Sequence, residues 1–103
     1  MRQAALRVGG LPEGALDAAA AFHGEWLARA RAALAASDAL VLVFAAAPYD
    51  HRGWRLAAVQ DLAREAAPKR VNGIAGDHER MRAKAAGWLA QAPGITGQLL
   101  ALD

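Results

Sequence analysis

The sequence predicts an α/β fold: a four-stranded parallel sheet whose strands alternate with three helices in the order β-α-β-α-β-α-β. Three observations carry that expectation. Residues 39–44 read ALVLVF, apolar throughout and without alternation, the mark of a parallel strand covered on both faces. Helix-length segments with apolar residues at helical spacing separate this run from the other short apolar stretches. Gly9-Gly10, Ser37-Asp38, Pro68 and Pro93-Gly94 fall at the joints between them. Short connections and right-handed crossovers then place the strands side by side in one parallel sheet.

The elements follow in order. Residues 4–8 form a short apolar run closed by Gly9-Gly10, a strand ending in a turn. After the loop Leu11-Pro12-Glu13-Gly14, residues 15–36 make a long helix. Phe22, Trp26, Ala30 and Ala33 lie on one stripe of it, and Leu27, Ala30 and Leu34 on the next. Ser37-Asp38 ends it and the ALVLVF strand follows. Residues 48–53 are a polar loop in which Asp50 is placed to cap the second helix, residues 54–67. That helix stops at Pro68, because proline disfavours helix in the residue before it. Residues 70–75 are the third strand, with Gly73 inside it. Asp77 is the expected cap of the third helix, residues 79–91. Its Met81, Ala85, Trp88 and Leu89 are spaced i, i+4, i+7, i+8. Residues 95–102 are the last strand.

Length and composition bound the rest. A chain of 103 residues reads as one small domain, 1–103, with a large surface for its volume. Apolar residues make up 55% and charged residues 21%, a globular composition. The net charge is +2, from 12 basic residues interspersed with 10 acidic ones, so no concentrated basic face points to nucleic acid. Arg80, Arg82 and Lys84 give the third helix a basic side, read as a solvated face that an acidic partner or polyanion would have to test. The chain has no cysteine, hence no disulfide and no thiolate chemistry, which is compatible with a reducing cytoplasm. It shows no signal-peptide core and no bilayer-length apolar run. The expected location is the cytoplasm, with no membrane partner. His23, His51 and His78 share no i, i+3 or i+4 spacing, so no metal motif is read.

The second half carries a resemblance. Residues 61–77 read DLAREAAPKRVNGIAGD and residues 88–103 read WLAQAPGITGQLLALD. This resembles the C-terminal pattern of short-chain dehydrogenases/reductases: a helix ending "lA-E-lAP", a strand "RVN-I-PG", a helix ending "fLaS" and a strand "ITGq-l-vDGG". The matching residues include Leu62, Ala63, Glu65, Pro68, Arg70, Val71, Asn72, Ile74, Gly76, Leu89, Ile95, Thr96, Gly97, Gln98 and Asp103. The resemblance is specific over residues 61–103 and topological before that. It implies a three-layer Rossmann-like half fold that stands for the last four of the family's seven parallel strands.

Departures from the family pattern bear on activity. The Thr-Gly-x-x-x-Gly-x-Gly loop, whose glycines let backbone amides approach a pyrophosphate, has no counterpart among these 103 residues. The family's Ser would fall at Ala45 or Ala46, its Tyr at Pro48 and its Lys at Arg52, with Tyr49 one residue out of register. Arginine does not replace that lysine in the same geometry. The resemblance therefore implies a truncated relative without dehydrogenase activity and without a cofactor.

Two groups of residues remain as candidate sites. Tyr49, His51 and Arg52 cluster at the carboxyl end of a strand, where ligands of open α/β sheets bind, and a histidine beside Asp50 and Tyr49 could do acid–base work. The simpler reading is a solvated turn that starts a helix. If the cluster is a site, His51→Ala should remove an activity or ligand and leave stability nearly unchanged. Asn72, Gly73 and Gly76 lie at another strand end, where the resemblance implies contact with the nicotinamide half of a cofactor. The simpler reading is inherited turn residues.

Partners are the stronger expectation. Without three strands of the full fold, the first strand becomes an open sheet edge, and open edges invite association. The first two helices resemble the family's dimer-forming pair. Their small and aromatic residues, Phe22, Trp26, Ala30, Ala33, Trp54, Ala57 and Ala58, are the candidate interface. The leading expectation is a non-catalytic subunit, either a homo-oligomer or the partner of a full-length reductase. The alternative is a small enzyme or ligand-binding protein that uses the Tyr49/His51/Arg52 crevice.

Overall fold

A computed structural model describes residues 2–102. Its four strands are β1 (Gln3–Val8), β2 (Ala39–Phe44), β3 (Arg70–Ala75) and β4 (Leu99–Ala101). They lie in the spatial order β1-β2-β3-β4, and every neighbouring pair is parallel. The register sets Val8 beside Phe44 and Phe44 beside Ala75, so the carboxyl ends of the first three strands form one edge. Helix α1 begins as Ala15–Ala21, passes through a π-helical turn at Phe22–Trp26 and continues as Leu27–Ala35. A 3₁₀ turn, Tyr49–His51, leads into α2 (Arg52–Ala66), and α3 spans Glu79–Ala90. The α/β architecture and its element order are those read from the sequence.

The layers follow from strand alternation. Val8, Leu40, Leu42, Phe44 and Val71 point to one face of the sheet and pack against Phe22, Ala30 and Leu34 of α1 and Ala58, Val59 and Leu62 of α2. Val41, Val43 and Ile74 point to the other face and meet Leu89 of α3. All six residues of β2 are buried because both faces of that strand are covered. This is why ALVLVF shows no polar–apolar alternation. Phe22, Phe44 and Trp54 close the first layer, with ring centroids 5.5–5.9 Å apart.

Four local differences from the sequence reading have physical reasons. The last strand begins at Leu99, not residue 95, because the preceding segment is held to β3 by other bonds. Val71 N–H donates to Thr96 Oγ1, Gly97 N–H donates to Val71 C=O at 2.7 Å, and Gly97 takes a left-handed φ of 73° that breaks the ladder. Asn72 fastens the same segment from both sides: its Nδ2 donates to Ile95 C=O and its Oδ1 accepts from Gln98 N–H. Asp77 does not cap α3; its carboxylate accepts the Ala46 N–H at 2.8 Å, and His78 Nδ1 accepts the Met81 N–H in its place. Asp50 makes no capping bond, since the turn starts two residues earlier, at Pro48. Arg82 is drawn off the basic side of α3, with its Nε donating to Gly76 C=O at 2.6 Å.

The outer side of β1 has no strand beside it among the described residues. Ala5 and Arg7 are exposed there, and the Arg7 guanidinium holds the Glu79 carboxylate of α3 through two hydrogen bonds.

Candidate functional site

The segments that follow β1 and β2 border a crevice at the carboxyl ends of these strands, the edge at which open α/β sheets bind ligands. The loop 45–48 runs through it and has a cleft on each side. The larger, about 530 Å³, lies between that loop, the Gly9-Gly10 turn and Ala18 of α1. The smaller, about 280 Å³, lies between the loop and the end of the chain at Ala101 and Leu102. His51 and Arg55 line both.

The sequence-predicted trio meets here, in unequal roles. Tyr49 is 85% exposed, and Arg52 is exposed; both line the smaller cleft. His51 is buried at 5% exposure. Its Nδ1 lies 3.2 Å from Trp54 Nε1, and its Nε2 lies 2.8 Å from Glu13 C=O. An indole N–H only donates and a carbonyl only accepts, which assigns the acceptor to Nδ1 and the proton to Nε2. Both ring nitrogens are thus engaged, and the imidazole ties α2 to the loop ahead of α1. Replacing His51 by alanine is expected to lower stability by about 2–3 kcal/mol, because two part-buried hydrogen bonds go and the Trp54 N–H is left unpaired. Chemical denaturation of the variant checks this. The nearly unchanged stability expected from the sequence belongs to a solvent-facing histidine, and this one is not.

Asn72 and Gly73 lie in the middle of β3 and Gly76 directly after it, and neither cleft is lined by them. Asn72 is 1% exposed, with its amide occupied by the 95–98 segment. A Cβ on Gly73 would stand 2.9 Å from Leu99 Cδ1 and from Val59 Cγ2, so the absent side chain is what lets β4 and α2 close on β3. Gly76, at a φ of 154°, donates its N–H to Phe44 C=O and passes under Leu102. What these three residues contact in the structure is the chain itself.

Of the seven candidate interface residues, Phe22, Ala30 and Ala58 lie inside the core. Ala33, Trp26 and Trp54 are half-buried, Ala57 is exposed, and the Arg29 guanidinium covers the Trp26 ring at 4.5 Å. The apolar surface left on the two helices is therefore smaller than the helical stripes suggested.

One residue of the site escaped the sequence reading. Arg55 is 7% exposed, its guanidinium carbon 4.7 Å from the Phe44 ring centroid and 5.7 Å from that of Trp54. Its Nη1 donates to Ala45 C=O at 2.8 Å, and its Nε is buried without a hydrogen-bond partner. Burial pulls its pKa below the ordinary arginine value, partly opposed by the charge of Asp77. The available signal is positional: Arg55 follows Arg52 by three residues, nearly one helical turn, and so falls on the side of α2 that carries the candidate cluster.

The strand order with its open crevice fits the fold expected of the resemblance, and a family model described as Short chain dehydrogenase-like protein matches residues 6–102. The chain belongs to the short chain dehydrogenase-like family. Comparison with curated proteins and with solved structures gives no match. In this short chain dehydrogenase-like chain, Ala45 and Ala46 directly follow β2, and Pro48 and Arg52 flank the 3₁₀ turn that leads into α2. Among the described residues no three His, Cys, Asp or Glu side chains form a metal-ligand set, and no helix is long and apolar enough to cross a membrane.

Proposed function

We propose that this short chain dehydrogenase-like chain is non-catalytic, cytoplasmic and acts through assembly, as a homo-oligomer or as an accessory subunit of a full-length reductase. The observation that carries this reading is the open edge of β1. Six residues present one side of their backbone to no other strand among those described. A second copy that pairs β1 with β1 about a two-fold axis closes the edge in both subunits at once. Trp26 and Trp54, half-buried, leave further apolar surface on α1 and α2. Ala45, Ala46 and Pro48 in place of hydroxyl-bearing residues support the absence of dehydrogenase chemistry.

Native mass spectrometry of the protein from its own cells tests the proposal. The expected result is a mass above the 10.8 kDa of one chain, whole multiples for a homo-oligomer or a reductase-sized addition for a heteromer. A charge on the edge should undo it: Ala5→Lys, on an exposed position of β1, is expected to return the mass to that of one chain while the fold persists. A strictly monomeric wild-type chain at all concentrations, with no co-purifying partner, refutes the reading.

A second reading is favoured by a specific observation. The paired clefts at the carboxyl edge, with Tyr49 and Arg52 beside the smaller one, suit a small ligand. With both nitrogens of His51 engaged, this reading is of binding without acid–base chemistry.

A further inference from the structure

A guanidinium withdrawn from water loses hydration that an ion partner normally replaces. Arg55 has no such partner: no carboxylate among the described residues stands in an ion pair with it. Asp77 acts on it only from a distance, and the Asp77 carboxylate is already engaged by the Ala46 N–H. Five N–H donors sit on an arginine side chain. One bond, to Ala45 C=O, is formed, and Nε is left buried and unused. The rings of Phe44 and Trp54 hold the group in place. It is thus a fixed, desolvated cation, more than nine-tenths buried, at the junction of two clefts.

We infer that Arg55 anchors a binding site for a small organic oxyanion, a carboxylate or a phosphate monoester, in the larger cleft at the carboxyl ends of β1 and β2. Planar bidentate pairing with two oxygens is the interaction a guanidinium forms best. The walls say what the rest of the ligand is. Val8, Leu11, Pro12 and Ala18 are apolar, so a short hydrocarbon body fits between them, and about 530 Å³ accommodates a molecule of metabolite size. Glu13 lines the same cleft, so a second negative charge elsewhere on the ligand is disfavoured. The site deepens the ligand-binding reading above and lies within one chain, independent of assembly.

The test is a ¹⁵N NMR titration of the whole chain, at constant ionic strength in chloride, that follows the backbone amides and the arginine Nε–Hε signals. Sodium benzoate and sodium phosphate are the two probes. The expected result is a saturable shift of the Arg55 Nε–Hε signal and of the Gly9, Gly10, Ala46 and Ala47 amides with at least one of them. Benzoate alone identifies a carboxylate site with an apolar body; phosphate alone identifies a phosphate site. Arg55→Met is expected to weaken the binding at least about tenfold, the scale of one charge-assisted hydrogen bond. Arg64→Met, at an exposed arginine paired with Asp61, should leave it unchanged. Should the Arg55 variant fail to fold, the wild-type Nε–Hε signal decides alone. Shifts that are absent, unsaturable, scattered over surface arginines, or retained in folded Arg55→Met overturn the site. Diffusion measured in the same samples reports the oligomeric state, so a monomer that binds refutes assembly only, and an oligomer that does not bind refutes the site only.

Discussion

Phe44→Ala is expected to destabilise the chain by about 3–5 kcal/mol, the range for emptying a fully buried phenylalanine site. Phe44 is 0% exposed and stands at the last position of β2, where the two halves of the first core layer meet. Its ring lies 5.9 Å from Phe22 of α1 and 5.8 Å, edge to face, from Trp54 of α2. Truncation removes both aromatic contacts and opens a cavity that two helices and a sheet cannot close together. It also takes the ring from beneath the Arg55 guanidinium, which leaves a buried cation with less to rest on. Small domains hold only about 5–15 kcal/mol in total, so the loss removes a large share of the stability. Urea unfolding followed by circular dichroism measures it. A loss under about 1 kcal/mol would mean that the cluster repacks and that the site is less rigid than its geometry implies.

Gly76→Ala carries the next largest effect, expected at about 2–4 kcal/mol from backbone strain plus steric overlap. The backbone there has a φ of 154°, which L side chains rarely adopt, and an added Cβ would stand 2.8 Å from Leu102 C=O. The obstacle is main chain, held by the 2.7 Å bond from Leu102 N–H to Ala75 C=O, so it cannot swing aside. The expected outcome is local: faster amide exchange at Leu102 and Leu100, with β1 and β2 protected as before. The same variant separates the two meanings of this glycine. A role in holding the last strand predicts lost protection with or without any ligand; a role in approaching a cofactor predicts a folded chain with weakened binding. The contacts of Gly76 favour the first.

How far the sequence can be read depends on the range of the interaction. The apolar run 39–44, the Pro68 stop and the helical spacing of 79–91 are local signals, and each maps onto the element it announces. The beginning of β4 was not legible, because Asn72, 26 residues earlier, holds Gln98 N–H with its side chain and removes it from a ladder. The cap of α3 was missed for the same kind of reason: the end of β2, 31 residues away, competes for Asp77. At the site, the strand-end crevice and the cluster 49–52 could be placed from topology. That His51 is consumed by structure depends on Trp54 and on a carbonyl 38 residues away, and neither spacing announces it. Arg55 was hidden because nothing in a sequence distinguishes an arginine folded inward over aromatic rings from one in water.

The complete burial of β2 has a consequence for the chain before it folds. ALVLVF is six residues of high β propensity with no charge and no proline, the composition that pairs with copies of itself when exposed. In the native sheet β1 and β3 occupy both of its edges and the helices cover both its faces, so the segment is harmless only while all four neighbours are in place. Asp38 stands immediately before it as a single charged gatekeeper, and its carboxylate is tied to the Arg2 N–H once the strands align. Any substitution that raises the unfolded population, Phe44→Ala foremost, therefore raises the concentration of an aggregation seed in the same proportion. Loss of soluble protein during expression should track loss of stability, however far from the crevice the substitution lies.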